Sequence, residues 1–103
     1  MSGQAPARWY AELDMGAAVD RNLLERLERS GPNDLVSMLV TFEPGTDLGA
    51  LAAWLRERGG TVVRVLPSLG VMAARARPGL GLELLGRPEV IAATGDESTV
   101  GKP

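Results

Sequence analysis

Two strand-length apolar segments, Thr61 to Leu66 (TVVRVL) and Val71 to Arg77 (VMAARAR), are separated only by Pro67-Ser68-Leu69-Gly70. So short a link cannot carry a crossover, so these strands must pair as an antiparallel hairpin. The periodicity around the hairpin alternates between the two kinds of element. Leu35 to Phe42 (LVSMLVTF) is rich in β-formers and free of Gly and Pro, which predicts a strand. Glu43-Pro44-Gly45 then turns the chain, and Thr46 or Asp47 is placed to cap a helix. Leu48, Leu51, Ala52 and Leu55 recur at i, i+3, i+4 and i+7 before Gly59-Gly60 ends that helix. After the hairpin, a short helix around Leu80 to Leu85 is weakened by Gly79, Gly81 and Gly86. Arg87-Pro88 breaks it ahead of a fourth strand, Val90 to Thr94 (VIAAT).

The order β-α-β-β-α-β predicts an α+β fold of the ferredoxin-like kind, an antiparallel four-stranded sheet with two helices on one face. Right-handed crossovers would set the first and third of these strands in the centre. One helix precedes this unit. Asp20 caps it, Leu23, Leu24 and Leu27 form its apolar stripe opposite Arg21, Glu25, Arg26 and Glu28, and Ser30-Gly31-Pro32 stops it. Residues 1–19, interrupted by Gly3, Pro6 and Gly16, read as an arm. Residues 20–96 read as a single domain with its leading helix over 20–30, and 97–103 as a polar tail. The arm holds Trp9 and Tyr10, two of the chain's four aromatics, either as a cover over an open edge of the core or as an anchor inserted into a partner.

Composition removes most catalytic chemistries. The 103 residues include neither Cys nor His, which excludes disulfides, a thiol nucleophile, a Cys/His zinc site and a Ser-His-Asp triad. Gly79, Gly81 and Gly86 are spaced G-x-G-x-x-x-x-G with no Lys-Ser/Thr after them, which is not a phosphate loop. Carboxylates fall on helix surfaces, in turns and in the tail, often beside Arg, and Lys102 is the only lysine. The chain therefore reads as a binding protein rather than an enzyme, with no cofactor and no metal. A net charge of −2 argues against a nucleic-acid partner. No basic start with an apolar run opens the chain, and no stretch nears the ~20 residues that span a bilayer, so the expectation is cytoplasmic, without a membrane partner.

Alternation assigns Val36, Met38, Val40 and Phe42, with Met72, Ala74 and Ala76, to a helix-covered core. The other sheet face then presents Leu39, Val71 and Ala73, with Arg75 and Arg64 towards its margin. That is more apolar than a face meeting only water. The leading helix packed across it, a second copy of the chain, or another protein would each account for it.

The strand LVSMLVTFEPGTD, the segment LAAWLRERGGTVVRVLPSLGVMAARA and the closing RPEVIAATGD resemble the propeptide-like inhibitor domain of subtilisin-type serine proteases. VDRNLLERLERSG likewise resembles a helix that often stands before that domain in bacterial subtilases. The likeness covers about three quarters of the chain, and its motifs are structural rather than catalytic. It implies a protein that inhibits, or helps to fold, a subtilisin-type protease. The open sheet face would dock on the enzyme through Leu39, Val71, Ala73 and Arg75. Gly95-Asp96-Glu97-Ser98-Thr99-Val100 would lie in the substrate cleft as an extended strand. No protease domain follows in the sequence, so the resemblance implies a stand-alone relative acting in trans. Thr94-Gly95-Asp96 replaces the family's "EPD"-like start, and Val100 is the only large apolar residue after it. The alternative is a non-inhibitory interaction or assembly module on the same fold, binding another protein or its own copy.

Overall fold

The computed structural model describes residues 18–95. The chain runs through β1 (Ala18–Val19), α1 (Arg21–Arg29), β2 (Val36–Phe42), α2 (Leu48–Glu57), β3 (Thr61–Leu66), a 3-10 turn (Pro67–Leu69), β4 (Val71–Ala76), α3 (Pro78–Leu85) and β5 (Val90–Gly95). The result is a mixed α+β structure, with three helices and a five-stranded sheet in the order β1-β5-β2-β4-β3.

The fifth strand corrects the sequence reading. Ala18–Val19, expected in the arm, pairs parallel with β5, Ala18 opposite Ala92 and Val19 opposite Ala93. The sheet is therefore mixed rather than wholly antiparallel. Two residues are too few for alternation to reveal a strand, yet Val19 is among the most deeply buried side chains. The other boundaries move by a residue: Leu35 is exposed outside β2, β4 stops at Ala76, and β5 continues to Gly95.

Local chemistry explains where the elements begin and end. The Asp20 carboxylate accepts the Leu23 N–H at 3.2 Å, capping α1, while the Asp20 N–H donates to the Ala93 carbonyl at 2.8 Å and ties the helix start to β5. Asp47 caps α2 by accepting the Ala50 N–H at 3.0 Å. In the hairpin, Gly70 adopts φ 67°, a left-handed conformation that glycine reaches without strain, and its carbonyl accepts the Phe42 N–H at 2.7 Å.

One hydrophobic core lies between the sheet and the helices. Val36, Met38, Val40 and Phe42 of β2 and Met72, Ala74 and Ala76 of β4 are buried in it, as alternation predicts. Leu51 and Leu55 of α2 and Leu80, Leu84 and Leu85 of α3 close over them. Burying each large side chain of this kind contributes about 1.5–3 kcal/mol. Leu23 and Leu27 of α1 enter the same core, where α1 packs against β5 beside α3. The leading helix thus lies with the other helices, and it does not account for the apolar opposite face. Gly81 makes the close packing feasible: a Cβ there would stand 3.0 Å from Met38 Cε and 3.2 Å from Leu27 Cδ2. Of the glycines in this segment, Gly81 is the one that serves packing between helices and sheet.

Candidate protein-docking face

The face of the sheet turned away from the helices is built from register. Leu39 of β2 stands opposite Ala73 of β4 and Thr94 of β5, and Ala73 in turn stands opposite Arg64 of β3. The neighbouring row runs Ala18, Ala92, Thr41, Val71, Leu66 across all five strands. On the other side lie Ser37, Arg75 and Thr61. An apolar strip of Leu39, Ala73, Val71 and Leu66 is therefore bordered by hydroxyls and two guanidiniums. Leu39, Val71 and Leu66 are half-buried, Ala73 is buried among its neighbours, and Arg64 and Arg75 are exposed.

Arg64 owes its place to a β-bulge. The register between β3 and β4 shifts between Val62 and Arg64, so Val63 is the extra residue. Without that shift, strict alternation would turn Val63 to the open face and Arg64 into the core against Met72. With it, Val62 and Val65 both pack on the core and Arg64 faces out. The signal was present in the sequence: TVVRVL holds two valines three apart that need burial and a charge between them that cannot be buried. A second bulge sits between Thr41 and Phe42 of β2 and the residues opposite on β5, leaving Ile91 exposed.

Leu39, Val71, Ala73 and Arg75, the residues expected to dock, thus fall on one continuous face, joined by Arg64, Leu66 and Ala92. Gly95 is placed differently. It pairs with Met38 as the last residue of β5, so it belongs to the sheet rather than to a free segment. Asp96, Glu97, Ser98, Thr99 and Val100 lie outside the described residues, as do Trp9 and Tyr10.

None of the five strands carries a carboxylate, and their only charges are Arg64 and Arg75. Among the described residues, neither guanidinium has an ion-pair partner. The face is consequently electropositive around an apolar centre, a composition suited to protein contact. Beside the sheet, a cleft of about 230 Å³ between the β2–α2 turn and the 3-10 turn is lined by Phe42, Pro44, Leu48, Pro67 and Leu69. Leu69 is 67% exposed at its mouth.

A second feature escaped the sequence reading. Arg58 and Arg87 both lie over the Trp54 ring, at 4.9 and 5.0 Å from its centre. Arg87 also forks onto the Glu89 carboxylate at 3.2 and 3.3 Å. A hydrogen bond from the backbone of Glu89, followed by the Arg87 guanidinium, holds that carboxyl below the usual glutamate range. Spacing could have paired Trp54 with Arg58 at i, i+4, but Arg87 arrives through the fold.

Among the described residues, no group of three or more acidic, His or Cys side chains could hold a metal ion, and no helix is long and apolar enough to cross a membrane. Comparison with known proteins leaves the face to be read from its own chemistry: no family model, no curated protein and no solved structure matches the chain.

Proposed function

We propose that this chain is a non-catalytic, propeptide-like protein that binds and inhibits, or helps to fold, a subtilisin-type serine protease. Its open sheet face would make the main contact, and the segment after Gly95 would enter the substrate cleft. The observation that carries the reading is the half-buried strip of Leu39, Ala73, Val71 and Leu66 on a sheet face that no described helix covers. The order β5-β2-β4-β3 supports a ferredoxin-like core, with β1 added at its edge. A tail leaving β5 next to that face would bind as though intramolecularly once the face has docked.

The second reading, an interaction module without inhibitory action, draws on one specific observation. Gly95 is held in the sheet by Met38, so the candidate cleft segment begins only at Asp96 and is mostly polar.

Titrating the full chain against a subtilisin-type protease from the same cell, with residual peptidase activity as readout, separates the two. Inhibition should weaken by roughly tenfold or more when the chain ends at Gly95, and vanish in Leu39→Arg. Binding that blocks no activity and ignores the truncation supports the interaction module. No binding by the intact chain overturns the protease reading.

A further inference from the structure

The charges of the open face are gathered on its β3–β4 flank. Arg64 stands opposite Ala73, and Arg75 lies two residues further along the strand of Ala73, which sets the two Cα atoms roughly 8 Å apart. Ala18, Ala92 and Thr94 on the other flank carry no charge. Guanidiniums this close lie within about one Debye length at physiological salt, so each adds to the positive potential at the other. No strand brings a carboxylate to relieve it.

That chemistry narrows what can cover the face. A second copy offers the same strands, so Arg64 and Arg75 would leave water with no strand carboxylate to receive them. A nucleic acid would meet the two charges but not the apolar strip. Sheets that hold unpaired bases do so on exposed aromatic rings, and Phe42, the one aromatic on any strand, is buried in the core. A protein surface that sets carboxylates beside aliphatic side chains satisfies both halves.

We propose that the open face docks an acidic, apolar surface of another protein, whose carboxylates pair with Arg64 and Arg75 while its aliphatic side chains pack on Leu39, Ala73, Val71 and Leu66. A guanidinium receives a carboxylate through two parallel hydrogen bonds, which fixes orientation as well as attraction. Because both charges sit on one flank, the partner's carboxylates fall on one side of its apolar ridge, and this sets which way round it docks. Charge placed in this way speeds encounter and selects the partner more than it adds affinity. The inference rests on the open face being the docking surface, whatever the partner's own activity.

The test mixes the isotope-labelled full chain with three short synthetic peptides of the same alternating design: leucine with glutamate, leucine with lysine, and serine with glutamate. At low salt the leucine–glutamate peptide should shift the amide NMR signals of Leu39, Arg64, Ala73 and Arg75, and bind roughly tenfold more tightly than either of the others. Raising the salt should erase its lead over the leucine–lysine peptide. Arg64→Glu with Arg75→Glu should turn the preference towards lysine. Arg29→Glu with Arg56→Glu, an equal change in net charge at exposed helix positions, should not. Should the first reversal fail to fold, Arg64→Gln with Arg75→Gln should abolish the preference. Leucine peptides that bind the face without regard to charge overturn the proposal but leave the face a docking surface, whereas amides that no peptide moves overturn both. An oligouridylate that shifts the same amides more strongly overturns it in favour of RNA. Shifts that follow protein concentration alone, with a doubled mass in sedimentation, overturn it in favour of a second copy.

Discussion

A Cβ on Gly60 would stand 2.6 Å from the Cγ of Leu55, and 3.1 Å from the Leu55 carbonyl. Leu55 is fully buried in the core, so it has no room to yield. The chain leaves α2 for β3 along the surface of the leucine that anchors that helix. Gly60→Ala should therefore destabilise the fold by about 1–3 kcal/mol, the usual cost of overpacking. Gly79→Ala is the matched control, because nothing lies within 4 Å of its added methyl and it sits in the first turn of α3. It should leave stability unchanged or raise it by up to about 1 kcal/mol. Urea unfolding of the two variants beside the parent measures both.

The two sides of β2 should respond in opposite ways. Met38 is fully buried among core residues, and Met38→Ala should cost about 2–5 kcal/mol through the lost contacts and the cavity left behind. Leu39, one residue on, is half-buried on the open face. Leu39→Arg should cost under about 1 kcal/mol in the free protein, yet block docking by placing an unpaired charge at the centre of the contact. Thermal melts paired with a binding assay check the contrast, and a Leu39→Arg protein that melts like Met38→Ala would assign Leu39 to the core.

Asp20 joins two structures at once, accepting from Leu23 and donating from its backbone to Ala93. Asp20→Ala removes only the cap and should cost about 0.5–2 kcal/mol. Hydrogen exchange should show the loss first in α1, with β4 protected as before.

The Arg87–Glu89 pair gives a pH prediction whose sign is fixed. The Glu89 carboxyl is held below its ordinary range in the folded protein, so the folded state favours the ionised form. Its stabilisation is present above the unfolded-state value and is lost as pH falls through the lower folded value. Because the pair lies at the surface, the contribution is small. An NMR titration should find the Glu89 midpoint below the ordinary glutamate range, and Arg87→Ala should move it back up.

Much of this architecture was legible along the chain because its elements announce themselves by period. LVSMLVTF alternates, the α2 leucines recur at helical spacing, and Pro67 to Gly70 leaves room only for a hairpin. Three things were not legible. β1 is a two-residue strand whose only distinguishing mark is a buried valine. The location of α1 depended on which side of the sheet its leucines met, which Gly81 decides by clearing space beside Met38. The arginines over Trp54 come from separate helix ends. As for the docking face, alternation found Leu39, Val71, Ala73 and Arg75, and the Val63 bulge settled where Arg64 belongs.

That bulge has a further consequence, for what the protein avoids. β3 is one of the two outer strands of the sheet and the longer of them, where a regular row of free backbone groups would template the next strand from any passing chain. The extra residue at Val63 breaks that row in its middle, and the Arg64 charge follows directly. Polymerisation along this rim is discouraged by the same irregularity that turns the arginine outward. A chain without disulfides thus blunts this rim through its own backbone irregularity, and leaves the broad apolar strip of Leu39, Ala73, Val71 and Leu66 as the surface on which any association would have to be built.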